Sequence, residues 1–191
     1  MALVAVVAVA WWIGSRVGDD DSAPTVSARP TSPVTARVTP ARVPRPASAF
    51  AMKVTYVYDG DTIQAAVVAP NQVVTTDRPI RIRLIGIDAP EAKPPAECWG
   101  AEATAWLRAH MPAGTTIWAA PDRDSWDDYG RRLFDIWTAD GFVNLRLARE
   151  GQARSLRVWP NVAYAEPIAA AERQAATQRR GLWRSCASGA R

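Results

Sequence analysis

Three short stretches of this 191-residue chain carry residue types that together could perform phosphoryl chemistry. Asp59-Gly60-Asp61-Thr62 sets two carboxylates beside a tight turn, although Asp-Gly alone is an ordinary hairpin turn. Arg83-Leu84-Ile85-Gly86-Ile87-Asp88-Ala89-Pro90-Glu91 delivers a cation along a strand and a carboxylate at its end. A second carboxylate follows a turn stiffened by Pro90. Asp124 to Arg132 adds an acidic loop, the aromatics Trp126 and Tyr129, Gly130, and two arginines that lead into another strand. Each stretch taken singly reads as a turn or a surface ion pair. Taken in order, they provide two aspartates to hold one hard cation and two arginines to clamp a phosphodiester. They also provide one glutamate to activate water. Arginine suits the clamp because its fork pairs with two phosphate oxygens at once.

The rest of the inventory narrows the alternatives. Two Cys and a single His, His110, cannot build a Cys/His zinc site, and one histidine excludes a two-histidine relay. Any metal must therefore be held by oxygen, which favours Ca²⁺ or Mg²⁺. An EF-hand over Asp122 to Leu133 fails because its twelfth position is Leu133, where a bidentate Glu is needed. A hydrophobic fraction of 48% supports a core and rules out wholesale disorder. The net charge is +4, and five Arg against three Asp in residues 1–49 leave half of that surplus on residues 50–191. This balance permits an anionic partner without demanding one. The preference for Arg over Lys suits phosphate contacts, and a coding bias explains it equally well.

Positioning these residues requires short strands. Lys53 to Tyr58 and Thr62 to Val68 are β-branched and aromatic runs flanking the Asp59-Gly60-Asp61 turn. Ile80 to Ile87 alternates Ile80, Ile82 and Leu84 with Arg81 and Arg83, predicting one buried and one basic face. Cys98 to Met111 reads as a helix, Thr115 to Ala120 and Leu133 to Thr138 as strands, and Ala139-Asp140-Gly141 as a turn. Asn144 is expected to cap a short helix through Arg149, stopped by Gly151, with Gln152 to Val158 a further strand candidate. Ala163 to Arg180 closes the domain as a helix ended by Gly181. The predicted class is α+β, mainly β. Five short strands with a helix between the third and fourth fit a small oligonucleotide-binding (OB-fold) barrel, and periodicity alone fits a generic α+β domain nearly as well. Upstream, Ala2 to Ile13 is an unbroken apolar run. As a helix it spans roughly 18 Å, short of a bilayer core of about 30 Å. Residues 1–18 read as an export signal or, with Arg16 snorkelling, a signal-anchor. Residues 19–49 read as a linker rich in Pro, Ser, Thr and Arg, and residues 50–191 as the folded domain.

The chain resembles the staphylococcal nuclease-like (thermonuclease) family. The resemblance is carried by Y-D-G-D-T (Tyr58 to Thr62), I-R-L-I-G-I-D-A-P-E (Ile82 to Glu91), Asp128-Tyr129-Gly130-Arg131 and the run Val143 to Ala153. The helix ending in Gly181-Leu182-Trp183 completes it. It implies a five-stranded OB-fold barrel with three helices. By the same resemblance Asp61 and Asp88 match calcium-binding carboxylates, and the Ala89 carbonyl sits where a backbone oxygen is supplied. Arg83 and Arg131 match phosphate-clamping arginines, Glu91 the general base, and Tyr129 a tyrosine near the substrate phosphate. The implied reaction is Ca²⁺-dependent hydrolysis of DNA and RNA, leaving 3′-phosphate ends, by a monomer without an implied protein partner. A module that binds nucleic acid without catalysis, tethered at the cell surface, is the alternative.

Two segments depart from the family pattern. Ala92 to Gly100 carries two prolines and Cys98, and Val158-Trp159-Pro160 stands where tyrosines are common. Trp159 offers a stacking face for a base, or a core or surface residue. Asp59, Asp127 and Asp128 are expected to support the site or to face solvent. Cys98 opens the first helix and Cys186 follows the last. Were those helices packed together, a bridge would close a loop of nearly ninety residues, worth about 4–5 kcal/mol by chain entropy. Two unpaired thiols are the other option. A bridge would agree with an extracellular location, secreted or membrane-anchored with the domain outside.

Overall fold

The computed structural model describes residues 43–186. The elements are β1 (Phe50–Val57), β2 (Thr62–Val67), β3 (Ile80–Leu84), β4 (Ile87–Asp88), α1 (Gly100–His110) and β5 (Thr116–Ala120). They continue with β6 (Arg132–Thr138), β7 (Gly141–Phe142), α2 (Val143–Arg149), β8 (Arg154–Ser155), α3 (Ala165–Thr177) and the single turn α4 (Leu182–Ser185). The Asp59-Gly60-Asp61 turn behaves as its residues predict. Asp59 Oδ1 accepts the Asp61 amide at 3.2 Å and the Tyr58 amide donates to the Thr62 carbonyl at 2.9 Å. β1 and β2 then run antiparallel.

The sheet order is β3-β2-β1-β5-β6-β7, and β3 also pairs with β6. That last pairing is parallel, with Ile82 opposite Arg132 and Leu84 opposite Phe134, and it closes β1, β2, β3, β5 and β6 into a five-stranded barrel. Closure removes the exposed edges that an open sheet would leave. Inward-facing Met52, Val54, Ile63, Ala65, Ile82, Leu84, Ile117, Phe134 and Ile136 fill the interior at 1% exposure or less. The helices cover the barrel, burying Ala103 and Leu107 of α1, Leu147 and Ala148 of α2, and Ile168 and Ala171 of α3.

Several elements differ from the sequence expectation. The strand over Ile80 to Ile87 breaks at Gly86, whose φ of +77° turns the chain out of the barrel. Ile87 and Asp88 pair instead with Ser155 and Arg154, so the Gln152 to Val158 strand shrinks to the two residues of β8, outside the barrel. Helix α1 begins at Gly100, not Cys98. A Cβ at Gly100 would lie 2.2 Å from the Glu91 carbonyl oxygen, so this close approach admits only glycine. Asn144 does not cap α2. It lies within the helix, fully buried, and accepts the Ile136 amide at 3.0 Å while donating to the Ile85 carbonyl at 2.8 Å. The closing helix is shorter than Ala163 to Arg180, and the chain resumes as α4.

Val43 and Ala49 pack against the core, so ordered contacts begin before Phe50. The apolar run of residues 1–18 and most of the 19–49 linker lie outside the described residues. Among the described residues no helix is long and apolar enough to cross a membrane. Cys98 and Cys186 form a disulfide, with Cα atoms 5.9 Å apart, which ties the loop ahead of α1 to the end of α4.

Candidate active site

Arg83 lies on β3, and its guanidinium organises everything around it. Nη1 donates to the carbonyls of Leu84 at 3.0 Å and Ile87 at 2.7 Å, which locks the side chain against the turn at Gly86. Nη2 faces Asp61 Oδ2 at 3.1 Å and Asp88 Oδ1 at 2.8 Å. Two carboxylates, one from the β1–β2 turn and one from β4, thus meet at one nitrogen. β2 pairs directly with β3, placing Thr62 opposite Arg83, and this register brings Asp61 to the same end of the barrel as Asp88.

The two aspartates differ in environment. Asp61 is buried, its Oδ2 accepting the Ala89 amide at 2.8 Å and its Oδ1 the Thr62 hydroxyl at 3.0 Å. Burial pushes its pKa up to about 7, against the opposing pull of Arg83 and with a further push from Asp59. Asp88 is open, its side chain 57% exposed. A hard divalent cation suits this oxygen set, one buried and one exposed carboxylate, because its charge would relieve the cost of an ionised Asp61. Among the described residues no three Asp, Glu, His or Cys side chains gather into a metal cluster, and backbone oxygen or water would complete a shell built on Asp61 and Asp88.

Arg131 arrives from the acidic loop. Its Nε bonds Asp127 Oδ2 at 2.6 Å, and its own amide donates to Asp127 Oδ1 at 2.8 Å. The Tyr129 amide reaches the same oxygen at 3.0 Å. Although burial works against the Asp127 carboxylate, these bonds and the Arg131 charge hold its pKa below the usual range. Asn161 fastens the front of this loop, accepting the amides of Arg123 and Asp124 and donating to the Asp124 carbonyl at 2.9 Å. Arg83, Arg131, Tyr129, Gly86, Leu156 and Val158 line one cleft of about 230 Å³. Tyr129 is 85% exposed, with the Arg131 guanidinium 5.4 Å from its ring centre.

Glu91 is exposed on the loop after β4. That loop closes on itself, the Glu97 amide bonding the Glu91 carbonyl at 2.8 Å and the Glu91 amide bonding Glu97 Oε2 at 3.0 Å. Trp159 is 76% exposed but does not line the cleft, where Leu156 and Val158 stand instead. Sequence reasoning missed Asn161 and Glu97 as supports. Asn161 follows a proline in an irregular segment, with no periodicity to mark its side chain as buried.

A family model described as staphylococcal nuclease homologue matches residues 81–185. The chain is 34% identical over 135 residues to the thermonuclease of Staphylococcus hyicus, covering 69% of this chain and 74% of that protein. It is equally similar, 34% over 131 residues, to the thermonuclease of Staphylococcus intermedius, covering 66% and 72%. A protein of Escherichia coli named as an uncharacterized endonuclease is 32% identical over 134 residues, 69% of this chain and 75% of its own. The chain belongs to the staphylococcal nuclease family. The stretch that matches the staphylococcal nuclease model runs from β3 to α4, and so contains Arg83, Asp88, Glu91 and Arg131. Asp61 lies ahead of it and meets Arg83, beside Asp88, through the β2–β3 register.

Proposed function

We propose that this domain is a calcium-dependent nuclease that hydrolyses DNA and RNA with low sequence specificity and leaves 3′-phosphate ends. The observation that carries this reading is the single Arg83 nitrogen shared by Asp61 and Asp88, with Arg131 opening onto the same cleft. Family membership supports it.

Attack on a phosphodiester loads negative charge onto the equatorial oxygens. Arg83 and Arg131 meet that charge already oriented, Arg83 by the backbone of Leu84 and Ile87 and Arg131 by Asp127. A preorganised donor of this kind is worth on the order of 10²–10³ in rate. Glu91, exposed and three residues after Asp88 in the chain, accepts the proton of the attacking water, a role worth about 10²–10⁴. Asp61, Asp88 and the Ala89 carbonyl would hold Ca²⁺, which when bound supplies Lewis-acid polarisation of a phosphoryl oxygen. Low specificity follows because these side chains address phosphate and metal, and none is assigned to a base edge. Tyr129 sits beside the clamp, where its ring and hydroxyl can meet the phosphate, and Trp159 offers a face to a neighbouring base.

The disulfide fits an oxidising compartment, and with the apolar residues 1–18 it supports an exported protein, secreted or membrane-anchored. Digestion of single-stranded DNA with Ca²⁺ or with excess EGTA tests the central reading. Rapid digestion only with Ca²⁺, with 3′-phosphate termini, is expected. Full activity in EGTA would overturn the calcium role, and binding without digestion under either condition would favour a non-catalytic module.

A further inference from the structure

Four arginines line an open basin of about 910 Å³ beside α4. Arg149 ends α2, Arg179 and Arg180 follow α3, and Arg184 lies on α4. Among the described residues, none of the four is in an ion pair. Arg179, Arg180 and Arg184 are exposed. The conservative explanation is that they offset the C-terminal ends of α2 and α3, which converge here. Magnitudes argue against that as the whole account. Each helix end carries roughly half a negative charge, so two ends cancel about one of the four positive charges. Glu150 also lines the basin, but its carboxylate accepts the Trp106 indole N–H at 2.8 Å and faces Arg146 at 3.7 Å. Even counted in full against the arginines, it leaves a surplus of about two positive charges.

A second groove lies between Asp88 and α4, the helix whose Arg184 and Ser185 line the basin. Asp88 pairs across β4–β8 with Arg154, whose guanidinium lies 4.6 Å from the centre of the Trp183 ring. Asp88, Arg154, Leu182 and the Cys98–Cys186 bridge line a groove of about 150 Å³. Glu97 lines it too, with Oε2 engaged by the Glu91 amide. Arg184 and Ser185, on the same helical turn as Leu182, then line the basin.

Resting on the nuclease reading, we propose that a nucleic-acid strand held at the active site continues past Arg154 and over α4, and that the arginine basin binds its phosphate backbone. Guanidinium forks around a concave polar surface suit phosphodiesters. An anionic membrane fits less well, because interfacial binding needs exposed apolar anchors. The aromatic in the basin, Trp99, is half-buried with its indole N–H bonded to Gln152 at 2.9 Å.

The test compares the full chain with a triple variant, Arg179→Ala/Arg180→Ala/Arg184→Ala. Binding of a long labelled thymidine oligonucleotide is read by anisotropy in EGTA, and cleavage of a dinucleotide is read separately with Ca²⁺. Loss of one is then not mistaken for loss of the other. The triple variant is expected to raise Kd for the long strand roughly tenfold or more. It should also lower the slope of log K against log salt by about 2, near 0.7 per lost phosphate contact. Dinucleotide cleavage should be unchanged, and the corresponding triple Lys variant should recover most of the binding. Unchanged Kd and salt slope would overturn the proposal. So would equal losses on the dinucleotide, or lost binding to phosphatidylserine vesicles with oligonucleotide binding intact.

Discussion

Arg83 and Arg131 line the same cleft but are held by different supports. Arg83 is held by two backbone carbonyls and two carboxylates, so its position is set by the β3 turn. Arg131 hangs on one carboxylate, that of Asp127, which bonds both its Nε and its amide. Arg131→Lys keeps the charge but loses the fork and the Nε bond. A fall in kcat of at least roughly tenfold is expected, comparable to losing part of a preorganised oxyanion site, measured as steady-state DNA digestion. Glu91→Gln removes the proton acceptor while keeping the size, and should cost at least roughly tenfold in kcat with little change in substrate binding. Near-normal turnover in either variant would remove that residue from its role. The sequence singles out Glu91 because it follows Arg83 and Asp88 along one strand and its turn, and Arg131 because Asp128-Tyr129-Gly130-Arg131 leads into the next strand. Asp127 was visible only as one acid among several, since nothing in the order Asp124 to Asp128 shows which carboxylate folds back on Arg131.

At the scale of elements, the join between β6 and α2 depends on a buried polar pair. Asn144 ties Ile136 of β6 and the carbonyl of Ile85 to α2, and its Nδ2 also lies 3.3 Å from Asp135 Oδ1. Asn144→Ala would leave a buried amide and a buried carbonyl without partners. Each such loss costs about 1–3 kcal/mol, so urea unfolding should show about 2–6 kcal/mol of destabilisation. Asp135 is buried, and that burial, with the charge of Asp122, raises its pKa well above the usual carboxylate value. A raised pKa means the folded state favours the neutral acid, so stability is fully present below the unfolded value and falls as pH rises towards the folded one. Asp135→Asn should therefore raise Tm at neutral pH, with the gain vanishing in acid. A gain that persisted equally at low pH would contradict this account. The sequence marked α2 correctly but assigned Asn144 to its cap, because Asn is favoured there and an inward-facing Asn leaves no periodic trace.

For the whole molecule, the disulfide and barrel closure share the work of holding distant parts together. The bridge spans a sequence separation of 88 residues. Cys98→Ser/Cys186→Ser should lower unfolding free energy by about 4–5 kcal/mol on the chain-entropy model, read by denaturant titration beside the parent chain. A negligible difference would mean that the unfolded chain is already constrained by other means. Local patterns in the sequence determined the strands of the barrel and the approximate helix positions, and they marked residues of the right chemistry to hold metal and phosphate. They could do so because alternation, turn residues and motif spacing are short-range properties of a chain. The tertiary structure decided which of these meet. Parallel pairing of β3 with β6 brought Arg131 to Arg83, the β2–β3 register brought Asp61 to Asp88, and the folding of α3 and α4 against α2 collected the four arginines. Such juxtapositions depend on contacts between residues tens of positions apart, and no local pattern encodes them.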